Sequence, residues 1–145
     1  MADPVLPDAE LDVMVCLWQE GPQTASALRT LLTASRPMTH ASISTLLSRL
    51  MRKGVVARQK GDIGKAFVFR AAVEPFPIQR HLVGDLLDRV FGGSGVALVA
   101  TLLQSRRPTA KELDELGALV DEHRKRKSRS ARASAKADQG KERAK

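Results

Sequence analysis

"SISTLLSRLMRKGVV", residues 42–56, is the stretch on which the reading of the fold turns. Ile43, Leu46, Leu47 and Leu50 recur at i, i+3, i+4 and i+7, the spacing of a helix with one face in a core. The other positions offer Ser42, Ser44, Thr45, Ser48, Arg49 and Arg52, which are hydroxyls and guanidiniums with no carboxylate among them. After Gly54 the pattern changes to strand-forming residues, beginning with Val55 and Val56. Such a polar face is either a solvated surface or one made to meet a polyanion, and the flanking sequence distinguishes the two.

On the N-terminal side, Asp8 is placed to cap a helix carrying Leu11, Met14, Val15, Leu17 and Trp18, and Gly21-Pro22 stops it. Thr24 caps a second helix with Leu28, Leu31 and Leu32 on one face. A loop containing Pro37 leads to Thr39, the cap of the third helix, which ends at Gly54. On the C-terminal side, "VVARQK" (55–60) and "KAFVFRA" (65–71) are strand-like runs around the turn signal "GDIG" (61–64). Three short helices followed by a basic hairpin form the winged variant of the helix-turn-helix. This domain is expected over residues 6–73.

In a helix-turn-helix the second helix of the pair enters the major groove, where hydroxyls and arginine forks reach base edges. Acidic groups there would repel phosphates. The expected DNA contacts are therefore Thr39, His40, Ser42, Ser44, Thr45, Ser48, Arg49, Arg52 and Lys53 on the third helix and at its ends. From the hairpin, Arg58, Lys60 and Lys65 are expected to touch backbone phosphates, with Arg70 nearby and Asp62 the single acid. The plainer reading of those cations is a charged rim protecting an edge strand, but beside a recognition helix a positioning contact fits better. Phe67 and Phe69 share a face by the period of two and are expected in the core.

After Pro75 and Pro77 the character changes. Leu82, Val83, Leu86, Leu87 and Val90 form a helical stripe ending at Gly92-Gly93. Ser94 caps a helix in which Val96, Leu98, Val99, Leu102 and Leu103 leave little polar face. Thr109 with Glu112 has the capping-box pattern, ahead of Leu113, Leu116, Leu119 and Val120. So few residues with so much apolar surface do not close a core alone. Residues 76–122 are therefore expected to be a helical dimerisation region, burying Leu82, Leu86, Val90, Phe91, Val96, Val99, Leu102, Leu103, Leu116 and Val120 between two copies. Residues 124–145 hold no large apolar side chain, so 123–145 is expected to be a disordered basic tail. The fold class is mainly α with a small β-hairpin wing, a winged helix-turn-helix domain plus a C-terminal helical dimerisation region.

Charge is segregated along the chain. The net charge of +8 resides entirely in residues 123–145, because the preceding 122 residues hold 14 basic and 14 acidic groups. Within those 122, Thr24 to Arg70 carries nine Lys/Arg against one acid, and Glu74 to Glu122 carries five against eight. A basic middle and a basic end point to a polyanion. Double-stranded DNA fits better than a membrane surface, since no basic amphipathic anchor helix is present.

Other chemistries find little support. "GDIGKA" (61–66) fails as a phosphate loop because its glycines are three apart where five are needed, and Ala66 stands where a Mg²⁺-binding hydroxyl belongs. "GGSG" (92–95) has no strand before it and reads as a helix stop and restart. His40, His81 and His123 lack ligand spacing, and Cys16 has no second thiol, so no metal site and no cofactor are expected. Cys16 reads as a small buried residue of the first helix. No nucleophile–base pair or carboxylate pair can be assembled, which argues against an enzyme. The start lacks a basic and apolar leader, the longest aliphatic run (96–103) is too short for a bilayer, and the lone cysteine fits a reducing compartment, so a cytoplasmic protein is expected.

Three segments carry a family resemblance: "LPDAELDVMVCLWQEGPQTASAL", "ISTLLSRLMRKGVVARQKGDIGKAFVFRA" and "LVGDLLDRVFGGSGVALVATLL…TAKELDELGALVDE". Together they resemble the penicillinase-repressor family of BlaI, MecI and CopY type across residues 6–122. The most specific parts are Leu46, Leu47, Arg49, Leu50 and Gly54 leading into the wing, and "DLLDRVFGGS". The resemblance implies a homodimeric winged-helix repressor, its C-terminal helices intertwined across a two-fold axis, seated on a dyad operator. Where the family begins its recognition helix with an aromatic residue and a Thr-Thr pair, this chain has His40, Ala41 and Ser42, which implies a different operator. The paired C-terminal cysteines of copper-responsive members are absent, and with them the soft ligands for a metal-released mechanism. In β-lactam-responsive members a regulatory protease route cuts an Asn-Phe bond. Here the aligned pair is Thr101-Leu102, in a helix expected to be buried, and a pocket that hydrogen-bonds Asn would be left unpaired by Thr. Cleavage at that bond by an Asn-Phe-specific route is not expected. The competing reading is a nonspecific DNA-architectural protein driven by the tail.

Overall fold

The structure, a computed structural model, describes residues 5–61, 64 and 66–143, with the side chains at the C-terminal end described through Asp138. Helix α1 (Asp8–Glu20), strand β1 (Gln23–Thr24), helix α2 (Ala25–Leu32), helix α3 (His40–Arg52), strand β2 (Val56–Lys60) and strand β3 (Phe67–Ala71) follow in order. Helices α4 (Pro75–Val90), α5 (Gly95–Ser105) and α6 (Ala110–Arg143) complete the chain. It divides after Gly92 into two compact units, so α4 belongs with the winged helix-turn-helix and α5 and α6 form the second unit.

The first unit is the expected winged helix-turn-helix, with two elements added, β1 and α4. The sheet has three antiparallel strands in the order β1-β3-β2, in which Gln23 faces Phe69 and Thr24 faces Val68. The hairpin pairs Val56 with Ala71 through Lys60 with Phe67, and the Gly61 N–H donates to the Ala66 carbonyl at 3.1 Å to close it. A Cβ on Gly61 would meet that same carbonyl oxygen at 2.9 Å, so the close approach requires glycine. Sequence periodicity could not show β1, because two residues before a helix cap carry no alternation.

The core lies between α1, α2, α3 and the sheet. Val13, Met14 and Leu17 meet Leu28, Ile43, Leu47, Leu50, Val55, Val56 and Phe69, and Cys16 is buried at its edge. Ile78 of α4 joins this core, and the Trp18 indole N–H donates to the Val73 carbonyl at 3.0 Å, fastening the chain that leads into α4.

Three side-chain caps are as expected. Thr24, Thr39 and Ser94 accept from the backbone N–H groups of Ala27, Ser42 and Ala97, each at 3.1 Å. Thr109 likewise accepts from the Glu112 N–H at 3.1 Å. The C-terminal region differs from expectation: α6 continues through the basic segment to Arg143 where a disordered tail was expected. The physical reason is that Ala, Arg and Lys are strong helix formers, and extending an existing helix avoids the nucleation cost. Arg126 pairs with Glu122 one turn earlier at 3.0 Å, which supports the junction.

In the single chain α5 buries no residue. Leu82, Leu86, Val90, Val96, Val99, Leu102 and Val120 are all exposed, and Phe91, Leu103 and Leu116 are half-buried. Leu102, Leu103, Leu116 and Leu119 line a groove between α5 and α6 closed by Pro108. Among the described residues, no single helix is long and apolar enough to cross a membrane.

Candidate nucleic-acid interface

Helix α3 buries Ile43, Leu46, Leu47 and Leu50, and this fixes which residues it presents outward. At 100° per residue, Ala41, Thr45, Ser48 and Arg52 lie opposite the buried stripe, with Ser44 and His40 on one flank and Ser42 and Arg49 on the other. All of these are exposed except Ser44, which is half-buried. Two open clefts border the helix. One is lined by Arg36, Pro37, Met38, Ser42, Thr45 and Arg49. The other runs toward the wing and the start of α2, past Ser26, His40, Ser44, Ser48, Arg58 and Phe67. His40, Ser44 and Ser48 thus share a cleft with Arg58 of the wing.

The loop before α3 is held from both sides. Arg29 Nε donates to the Met38 carbonyl at 2.9 Å, and Arg36 Nε donates to Asp12 Oδ2 at 2.7 Å. The Asp12–Arg36 pair is 40% exposed on each side, so its contribution to stability is small, and its effect is to set where the loop delivers α3. At the other end, Lys53 donates to Glu10 and to the Val5 carbonyl, tying the end of α3 to α1. Glu10 is 1% exposed. Lys53, expected as a phosphate contact, is held here as the partner of Glu10, because releasing its ammonium would leave a buried carboxylate unpaired. Gly54 follows at φ 77°, the left-handed turn that ends α3 and starts the wing.

Local hydrogen bonds narrow what the hydroxyls can do. Thr39 accepts from the Ser42 N–H and donates to Ser42 Oγ at 3.0 Å, so Thr39 serves the cap first. The Thr45 hydroxyl donates to the Ala41 carbonyl at 3.0 Å. Its proton is committed, which leaves lone pairs and a methyl group facing outward. Thr45 is thus equipped to accept from an adenine or cytosine amino group, or to pack on a thymine methyl.

In the wing, Arg58 lies over the Phe67 ring, 4.3 Å from its centroid. Phe67 is 38% exposed, whereas Phe69 is buried, so only one of the two aromatics expected in the core is there. The reason is the position of Phe67 at the turn end of the hairpin, paired with Lys60 at the edge of the core rather than within it. The ring holds the guanidinium instead. Lys60 and Arg70 are exposed along the same hairpin. Lys65 and Asp62 lie outside the described residues.

Nothing in the described residues forms a group of His, Cys, Asp and Glu able to hold a metal. Cys16 is buried, and that burial pushes its thiol up, with the nearby Glu20 carboxylate adding to the effect. A thiol kept protonated is a poor nucleophile and a poor ligand.

Comparison with known proteins gives a match over the same span as the sequence resemblance. The family model described as "Penicillinase repressor" matches residues 6–122. The chain is 26% identical over 124 residues to the penicillinase repressor of Bacillus licheniformis, covering 86% of this chain and 95% of that one. It is 25% identical over 113 residues to the methicillin resistance regulatory protein MecI of Mammaliicoccus sciuri, covering 78% and 90%. Among solved structures, it is similar to monomeric BlaI of Bacillus licheniformis in complex with the blaP half-operator, with 27% identity and a TM-score of 0.44 over 51% of this chain and 88% of that one.

Proposed function

Because the chain belongs to the penicillinase repressor family of DNA-binding transcriptional repressors, we propose that it represses transcription as a homodimer on a dyad operator. The observation that carries this reading is the exposed face of α3, which holds hydroxyls and guanidiniums with no carboxylate, over a buried aliphatic stripe. Arg49 and Arg52 take backbone phosphates, and Thr45 with Ser48 reads base edges in the major groove. Arg58 and Lys60 of the wing position the domain without specifying sequence.

Dimerisation is supported by the apolar residues that a single chain leaves uncovered on α4, α5 and α6. Leu86, Val90, Val96, Val99 and Leu102 are each more than 40% exposed. Large apolar side chains left exposed in this number mark a protein interface. A symmetric dimer presents two recognition helices related by a two-fold axis, so the operator carries two inverted half-sites. As a repressor acting on operator DNA, the protein would work in the cytoplasm. Relief of repression would come through a signal or protease suited to Thr101-Leu102 rather than to Asn-Phe.

A promoter reporter tests the function. A DNA site recovered with the purified chain is placed over a promoter, and transcription is measured with and without the protein. Repression by the parent chain, lost in an Arg49→Ala, Arg52→Ala variant of unchanged fold, is the expected result. Binding without any effect on transcription would refute the repressor assignment.

A further inference from the structure

Helix α6 extends well beyond residue 122, where the family match ends, and this extension has a charge distribution of its own. Lys125, Arg129, Arg132 and Lys136 recur at i, i+4, i+7 and i+11, which places all four within one narrow arc of the helix. All four are exposed. The stripe runs about 16 Å along the axis at 1.5 Å per residue. The far side carries Ser130, Ala131, Ser134 and Ala137, with Lys127 and Asp138 among them. We infer that this stripe is a second DNA contact of the chain, a helix edge that docks on backbone phosphates and reads no bases.

Charge complementarity selects the partner. The first 122 residues sum to zero, so this segment supplies the whole net charge of +8. An anionic membrane is the other polyanion to weigh, but an interfacial helix needs large apolar side chains opposite its cations. Alanine and serine occupy that side here. Duplex DNA asks only for cations along an edge, since it presents one phosphate charge per about 1.7 Å of axis. Helical order lets the four cations be presented together, and a disordered arm of equal charge would have no preferred face. The inference rests on the DNA-binding reading above, although it concerns a different element.

Two charge-matched variants of the full chain test it. One changes the stripe (Arg129→Gln, Arg132→Gln, Lys136→Gln), and the other changes cations that point elsewhere (Arg124→Gln, Arg126→Gln, Lys127→Gln). Glutamine preserves helix propensity, and circular dichroism checks that both remain helical. Binding to a random-sequence duplex is measured against salt concentration. The stripe variant is expected to lose about tenfold or more in affinity at low salt, with a salt slope shallower by about 2 to 3. The off-stripe variant should change markedly less. Equal losses in both would overturn the inference in favour of undirected charge, and no loss in the stripe variant would show that the helix does not touch DNA. Loss of binding to phosphatidylserine vesicles with DNA binding intact would overturn it as well. Because the duplex is random, failure of operator recognition by α3 appears separately, as absence of preference for any selected site.

Discussion

Lys53, the residue after the last turn of α3, donates to the carboxylate of Glu10, which is buried in α1. Helix α3 is thereby anchored at its C-terminal end by the only buried charged residue in the described core. The pair predicts an asymmetry. Lys53→Met strands the carboxylate and should cost about 2 kcal/mol, less than for a fully enclosed pair because the ammonium side is 31% exposed. Adding Glu10→Gln to Lys53→Met should recover a large part of that loss. Urea denaturation of the two single variants and the double variant checks this. Additive losses would show that the two groups do not interact.

Thr45 and Arg52 occupy the outward face of α3 but are expected to fail differently. Thr45→Ala should reduce discrimination between operator and random DNA by about 1 kcal/mol, the low end for a base contact, because only an acceptor or methyl contact is removed. Arg52→Ala should weaken both DNAs alike and flatten the salt slope by about 1. Competition binding separates the two outcomes. Equal losses on both DNAs for the Thr45 variant would remove that residue from base recognition.

Self-association is expected to depend on the residues that α4 and α5 leave uncovered. Leu86→Glu and Leu102→Glu each exchange a side chain whose burial contributes about 1.5–3 kcal/mol for a charge at the proposed interface. The parent chain should sediment as a dimer at micromolar concentration, and both variants should shift toward monomer. A parent chain that is monomeric and well folded would contradict the interface.

The Thr101-Leu102 bond is expected to survive co-expression with a sensor protease that cuts Asn-Phe. Thr101 and Leu102 lie within α5, so even an exposed α5 must open before a protease reaches their backbone. Intact-mass analysis after β-lactam exposure provides the check. A fragment ending at Thr101 would place this protein among the cleavage-released members.

Much of this architecture is legible in the sequence. The i, i+3, i+4, i+7 stripe of α3 and the caps at Thr24, Thr39 and Ser94 are local signals, and local signals survive folding. The exposed face of α3 was legible for the same reason, since a buried stripe dictates its opposite. Tertiary relationships were not. Nothing near Lys53 in sequence points to Glu10, 43 positions away, so the ammonium read as a free cation. Phe67 obeyed the strand period and still fell outside the core, because the period gives the face and not how far the core reaches along it. The basic segment of α6 lacked large apolar residues, which removed the signal of tertiary packing but left helix propensity intact.

The central claim is that α3 reads a two-fold operator on behalf of a dimer. Selection of bound sequences from a random DNA pool with the full chain tests it most directly. The account predicts an enriched inverted repeat with half-sites about one helical turn apart or a multiple of it, and a base preference within each half-site that relaxes in the Thr45→Ala variant. Recovery of no consensus, with affinity that follows salt and the basic extension alone, would contradict the account and leave a nonspecific DNA-architectural protein.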